Sequence, residues 1–272
     1  MNFEQLLKTH YTTLTKAEKK VADYILLAGE QIIYQTLTEI KEHTKVGDAT
    51  IIRFCQKLGF SGFADLKIAL AKEDFHQNQT KIPTTCFWDE RANKIIHAIT
   101  LTKEKLQKEN LQQAIEVLQT AKRIFIFGVG SSGNISHDLE AMCLRVGLQA
   151  KAITDPHFQA QTAALMCKKD LVIAFSLSGK TKDTFESLQL AKENQATILA
   201  ITNHLFSPIA QLADIVLQTA IDEFLDGGSL AGKVSQLYLC DLLLTGFENQ
   251  NHQTIMQQRE KVLRSILTKR FD

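Results

Sequence analysis

The hydrophobic pattern changes period at Arg123, and that change constrains the fold more than any other feature of the chain. From there on the sequence carries five short apolar runs: RIFIFGV (123–129), AKAIT (150–154), DLVIAFS (170–176), ATILAIT (196–202) and DIVLQT (214–219). Helix-patterned segments separate them. Short apolar runs alternating with helices imply strands buried on both faces, the condition of a parallel sheet covered by helices on each side. This half is therefore expected to be an α/β domain over 107–250 with a five-stranded parallel sheet in flavodoxin-like order. Sheets of this kind bind ligands outside the carboxyl ends of their strands.

The first 77 residues read differently, as an all-α domain. Thr15-Lys-Ala-Glu18 is a capping box that opens a helix, with Ala17, Val21, Tyr24, Ile25 and Ala28 on one face. A second box, Thr36-Leu-Thr-Glu39, opens another helix, with Leu37 and Ile40 facing inward. KVG at 45–47 breaks it. Asp48 to Leu58 then reads as a third helix with Ile51, Cys55 and Leu58 inside, and GFSG at 59–62 ends it. Ser61 is placed to cap a fourth helix that carries Phe63, Leu66 and Leu70. The polar stretch HQNQTKIPTTCFWD (76–89) suits a linker, so 78–106 is expected to hold a linker and a connecting helix. Further helices are expected near 90–107, 110–121 and 229–247.

Helix, tight turn, helix is the geometry that places a second helix in the major groove of DNA. The outer stripe of that helix is Thr50, Arg53 and Lys57, with Asp48 and Ala49 at its leading end. Arg53 is long enough to reach a guanine edge or a phosphate, and Thr50 can meet a thymine methyl. A solvated polar face shows the same spacing. Charge does not choose between them, because residues 1–77 hold ten Lys/Arg and ten Asp/Glu, and the whole chain has a net charge of +1. The wording of the segment adds to this. LTKAEKKVADYIL and LTEIKEHTKVGDATIIRFCQKLGFSGFADLKIAL resemble the N-terminal domain of the RpiR family of bacterial transcriptional regulators. The resemblance implies operator DNA as a partner, met by Asp48, Ala49, Thr50, Arg53, Lys57 and Ser61. The family usually has Ser where this chain has Gly47, which can cap a helix but offers no side-chain acceptor.

In the second half, GVGSSG (128–133) spells the glycine pattern of a dinucleotide fingerprint, and Asp155 stands where a ribose-binding acid would. An NADH-sensing repressor is thus one reading. The next loop argues for another. SLSGKTKDT follows DLVIAF at the same end of the sheet and brings Ser176, Ser178, Gly179, Thr181 and Thr184 to a helix start. Two hydroxyl-bearing loops at helix N-termini form a cradle for a phosphate. Each hydroxyl could instead simply cap its own helix. Together, IFIFGVGSSG and LVIAFSLSGKTKDT resemble a SIS (sugar isomerase) domain, which the RpiR family joins to its helix-turn-helix.

That resemblance implies a phosphosugar effector held by Ser131, Ser132, Ser176, Ser178 and Thr181. DEFLDGGSLAGKVSQLYLCDLLL (222–244) resembles the segment closing the site and places Glu223 and Lys233 near the sugar. TDPHFQAQTAAL resembles the family's Asp-x-His stretch and brings Asp155 and His157 close by. Isomerases with this domain need a general base, a role open to Glu223. The fused DNA-binding domain makes catalysis unnecessary, so a sensor rather than an enzyme is expected, with a phosphosugar isomerase or lyase as the alternative.

The five cysteines form no CxxC and the eight histidines no HExxH, so no metal or other cofactor is expected. MNFEQLLKTHYTT has no apolar leader and no run spans a bilayer, which predicts a cytoplasmic protein without a membrane partner. One recognition helix per chain calls for a homodimer or a higher oligomer on a palindromic operator. LYLCDLLL, on the 229–247 helix, carries more apolar surface than one helix face needs and is the expected interface. The tail at 251–272, with Arg259, Lys261, Arg264, Lys269 and Arg270 around Glu260, reads as a solvated helix.

Overall fold

The computed structural model describes residues 3–79, 86–221 and 230–267. The chain divides into two compact units, one over 1–87 and one from Trp88 onwards. The first unit is helical: α1 (Phe3–His10), α2 (Lys16–Ala28), α3 (Leu37–Thr44), α4 (Asp48–Lys57) and α5 (Phe63–Gln79), with 3-10 turns at Tyr11–Thr13 and Gly29–Tyr34. Both capping boxes form. Thr15 accepts from the Glu18 N–H and Thr36 from the Glu39 N–H, while each glutamate reaches back to its cap residue. Val21, Ile25, Ile40, Ile51, Cys55, Leu58 and Leu66 meet in one core. Phe54, absent from the expected inner stripe, is fully buried beside Cys55.

Two local expectations shift. The α5 cap falls one residue later than Ser61: Gly62 stands before the first turn, and the Asp65 carboxylate accepts from the Ser61 N–H. The expected linker is also partly helical, since α5 continues to Gln79 and α6 (Phe87–Lys105) begins at Phe87. Residues 80–85 lie outside the described residues.

After α6, the second unit runs α7 (Lys108–Thr120), β1 (Arg123–Phe127), α8 (Ser131–Arg145), β2 (Ala150–Ile153), α9 (Pro156–Ala164) and β3 (Asp170–Phe175). It continues with α10 (Lys182–Glu193), β4 (Thr197–Thr202), α11 (Pro208–Leu212), β5 (Ile215–Gln218), α12 (Leu230–Gln250) and α13 (His252–Leu267). The strands pair in parallel in the order β2-β1-β3-β4-β5, the flavodoxin-like order. All six residues of β3 are buried, as a central strand covered on both faces requires. One face packs on α7, α8 and α12 through Ile115, Leu139, Cys143, Leu239 and Leu243. The other packs on α9, α10 and α11 through Ala163, Leu188, Ala191 and Ile209.

The LYLCDLLL run finds its partners at home. Leu239, Cys240, Leu243 and Leu244 are buried in the core of their own chain, against α7 and α8. Core packing thus accounts for one face of the run, while Leu237, Tyr238 and Leu242 stay half-buried. At the amino edge of the sheet, Arg123 clamps the buried Asp170 with two hydrogen bonds, Nε–Oδ1 at 2.8 Å and Nη2–Oδ2 at 2.5 Å. The clamp joins the first residues of β1 and β3.

Candidate functional site

The helix-turn-helix is built by α3, a three-residue turn and α4. Lys45 takes a left-handed conformation, φ 56°, and so stops α3. Gly47 is the extended cap residue of α4 and supplies no side-chain acceptor. Asp48 and Ala49 are exposed on the first turn, and Asp48 lies 3.7 Å from the Lys41 ammonium. Arg53 is exposed and lies along its own helix, donating from Nε to the Ala49 carbonyl at 3.2 Å and from Nη2 to the Thr50 hydroxyl at 3.3 Å. The arginine and Thr50 thus form one polar patch on the outer face of α4.

Lys57 does something else. Its ammonium lies 2.7 Å from the carboxylate of Glu18, which is buried and also accepts the Thr15 N–H at 2.8 Å. Burial alone would push the Glu18 carboxyl up. The Lys57 ammonium and the Thr15 N–H and hydroxyl outweigh it and hold the carboxyl below its usual range. Lys57 therefore ties α4 to the start of α2, whereas the sequence stripe put it on the outer face with Arg53. A mostly apolar cavity of about 440 Å³ opens in this same unit among Leu37, Ile52, Phe63 and Lys67. It does not involve the hydroxyl-bearing loops.

Those loops sit where the sheet order reverses. The chain leaves β1 toward β2 through α8 on one face, and leaves β3 toward β4 through α10 on the other. β1 and β3 are neighbours, with Phe127 opposite Ala174, so their carboxyl ends open side by side into a crevice. Helices α9 and α11, which follow β2 and β4, are capped by their own sequence. Asp155 accepts from the His157 and Phe158 N–H groups, and Ser207 accepts from the Ala210 N–H. Helices α8 and α10 are not: their cap residues, Gly130 and Thr181, make no side-chain cap hydrogen bond. The Thr181 hydroxyl instead lies 3.0 Å from the Ser176 hydroxyl. Simple self-capping thus fails to account for the hydroxyls of the two loops that border the crevice.

The remaining expected residues distribute unevenly. Ser131 and Ser132 are half-buried in the first turn of α8. Ser176 is buried, and the exposed Ser178 accepts from the Lys180 N–H at 3.2 Å. Lys233 is half-buried in the first turn of α12. The Asp155 carboxylate is engaged in capping α9, and His157 is exposed on that helix's first turn. Glu223 lies outside the described residues. Gly179 is held at φ +64° with its N–H on the Ser176 carbonyl, and a Cβ there would stand 1.9 Å from the Ser207 hydroxyl.

Among the described residues, the buried side-chain polar atoms without a hydrogen-bond partner are Gln159 Oε1, Thr184 Oγ1, Thr219 Oγ1 and Gln236 Nε2. All four belong to the carboxyl edge of the sheet: the early turns of α9, α10 and α12, and the residue after β5. Buried polar groups are normally paired, and among the described residues the exceptions gather at the edge where the strands end. Thr184 belongs to the SLSGKTKDT loop, and Gln159, Thr219 and Gln236 lie where the pattern reads as ordinary helix or strand end.

Comparison with known proteins places both units. Residues 1–77 match the helix-turn-helix domain of the rpiR family, and residues 117–246 match the SIS domain. Over 274 aligned residues the chain is 35% identical to an uncharacterized HTH-type transcriptional regulator of Haemophilus influenzae, covering 96% of this chain and 95% of the relative. The structure of Vibrio vulnificus NanR complexed with ManNAc-6P superposes with a TM-score of 0.83 at 27% identity, covering all of both chains. The sugar isomerase domain of an RpiR transcription factor from Sphaerobacter thermophilus shares the fold, with a TM-score of 0.59 at 23% identity over 64% of this chain and 97% of that one.

Proposed function

This chain belongs to the RpiR family of helix-turn-helix transcriptional regulators, and on that premise we propose that it binds operator DNA through α4 and a phosphosugar in the crevice between β1 and β3. One observation carries the ligand reading. The two helices that start at the switch point lack side-chain caps, while the helices on either side are capped. Uncapped N–H groups and the helix dipole favour an anion, and serines and threonines supply further donors. In this reading Ser131, Ser132, Ser176, Ser178 and Thr181 hold the phosphate. Lys233 and His157 stand near the sugar. The ligand bound by the V. vulnificus neighbour is a phosphosugar of this class.

The protein is a sensor in this reading, not an enzyme. The DNA-binding domain is 1–77 and the sensing domain 107–250, in a cytoplasmic homodimer or higher oligomer. For the sugar to act on DNA, it must bind two arrangements of that oligomer unequally, and operator DNA must shift sugar affinity by the same factor. Thermal denaturation against a panel of phosphosugars, ManNAc-6P among them, tests the ligand half, because a ligand that binds only the native state raises apparent stability. Each sugar is run beside its unphosphorylated form. Equal shifts from the two forms would remove the phosphate cradle.

Ser178→Ala should then weaken the best ligand by about 1.5–3 kcal/mol, the range for a hydrogen bond to a charged group, while DNA binding without ligand persists. Isothermal titration reads the first and gel shift the second. On the DNA side, Arg53→Ala should cost about 1–3 kcal/mol of specific binding if the side chain reads a base. Its melting temperature should barely move, since Arg53 is exposed and bonds only within its own helix. Lys57→Ala should do the reverse and lower stability, by leaving the buried Glu18 carboxylate without its cation. Unchanged operator affinity in Arg53→Ala would mean that α4 is not the reader.

A further inference from the structure

We propose that Gln159, on α9, is the positioning residue of the β1–α8 loop, clamping the Gly128 carbonyl and so setting how the loop presents its N–H groups to an anion. The inference rests on the crevice reading above and adds a residue from a neighbouring βα unit, outside both hydroxyl-bearing loops. Gln159 is fully buried. Its Nε2 donates to the Ile153 carbonyl at 2.7 Å and to the Gly128 carbonyl at 3.3 Å. Ile153 ends β2 and Gly128 follows β1, so one amide bridges the ends of two adjacent strands.

The orientation of that amide is forced. Both neighbours are carbonyl oxygens and can only accept, so the NH2 group must face them. Oε1 is then left buried without a partner. A residue serving only to fill space would be an apolar side chain of the same volume, free of the orphan acceptor. The side chain is thus held in place by what its two N–H bonds secure.

What they secure is the first peptide of the loop. The Gly128 carbonyl is enclosed from two directions. Gln159 reaches it from α9, and Gly133 presses on it from α8, where a Cβ would stand 3.2 Å from that oxygen. Gly128 itself has no room either: a Cβ on it would lie 2.7 Å from the Ser132 carbonyl oxygen. The peptide unit is planar and trans, so fixing the Gly128 C=O fixes the plane that carries the Val129 N–H, pointing the opposite way. The chain then enters α8 through Gly130, whose side has no cap to orient it. Gln159 supplies from α9 the rigidity that a side-chain cap would have supplied locally.

The test uses the full-length chain and inorganic phosphate, followed by amide chemical-shift changes at 128–132. The wild type should saturate. Gln159→Met keeps the volume and removes both donors, and should weaken phosphate by about tenfold or more, as loss of about one hydrogen bond's worth of preorganisation implies. Its Val129 and Gly130 amide signals should broaden or shift before any phosphate is added. Gln159→Glu gives a second measurement on a folded isostere. Ionised, it sets a carboxylate against two carbonyls; protonated, it regains one donor. Its affinity relative to wild type at the same pH should therefore recover as pH falls, a ratio that cancels the ionisation of phosphate itself. A wild type that binds neither phosphate nor any phosphosugar overturns the crevice reading and this inference with it. A wild type that binds, with Gln159→Met equal to it and Gln159→Glu flat with pH, overturns the clamp alone.

Discussion

Gly179→Ala should unfold the β3–α10 loop's geometry and abolish phosphosugar binding together with much of the domain's stability. Two costs add. The φ of +64° is a left-handed conformation that an L side chain resists, and the new Cβ would stand 1.9 Å from Ser207 Oγ and 2.4 Å from Ser207 Cβ. Ser207 cannot step aside cheaply. It is buried, its hydroxyl donates to the His204 carbonyl at 2.7 Å, and the same oxygen caps α11. The Gly179 carbonyl is also fixed, by the Ile209 N–H at 3.1 Å. Left-handed strain and overpacking together amount to about 2–5 kcal/mol. Urea denaturation measures the loss, and titration with the best phosphosugar measures the site. Gly47→Ser is the control, since Gly47 has φ −71° and open space around it, and a serine there can cap α4. It should hold or raise stability. A Gly179→Ala protein as stable as wild type that still binds sugar would show that the loop is not held as described.

The second large effect belongs to the opposite edge of the sheet. Arg123→Met should cost about 3 kcal/mol at neutral pH, near the low end for a broken buried pair because Arg123 keeps contact with water. The Arg123 guanidinium holds the Asp170 carboxyl below the usual carboxylate range, against the burial that would raise it, and the Cys167 N–H helps at 2.7 Å. A lowered folded-state pKa contributes stability above the unfolded value, about 3.9 for an aspartate, and that contribution is lost as pH falls through the folded value. In Arg123→Met the same carboxyl is buried without a cation, so its pKa rises and acid relieves it. The gap between variant and wild type should be widest near neutrality and close below about pH 4. Melting curves across that range check it; a gap that stays constant with pH would place the cost in packing, not charge. Sugar and DNA binding by the folded fraction should persist, because the clamp stands at the amino edge and the crevice at the carboxyl edge.

Much of this molecule could be read from residues close together in the chain. Capping boxes at Thr15 and Thr36 depend on residues three apart, and both form. The five strands and their parallel order follow from apolar runs spaced by helices, because handed crossovers leave few alternatives. The two loops of the crevice are likewise local. They follow strands and open helices, so their hydroxyls fall at one edge wherever the sheet is formed. The RpiR and SIS resemblance rests on these same continuous words of sequence.

What only the tertiary structure decided concerns residues whose partners are distant in the chain. Lys57 continues the spacing of Thr50 and Arg53, yet its ammonium goes to Glu18, 39 residues earlier, and only the packing of α4 on α2 makes that contact. LYLCDLLL reads as surplus apolar surface, and only the packing of α12 on α7 and α8 decides that Leu239, Cys240, Leu243 and Leu244 are core. Asp155 fitted the position of a ribose-binding acid, and the turn into α9 commits it to that helix's N–H groups. Gln159 carries no sequence signal, because its role exists only where Gly128, 31 residues away, brings a carbonyl to it. Periodicity and caps are properties of a segment. Charge pairing, burial and the orphaned polar groups at the carboxyl edge of the sheet are properties of what the fold sets against that segment, and the sequence by itself does not choose them.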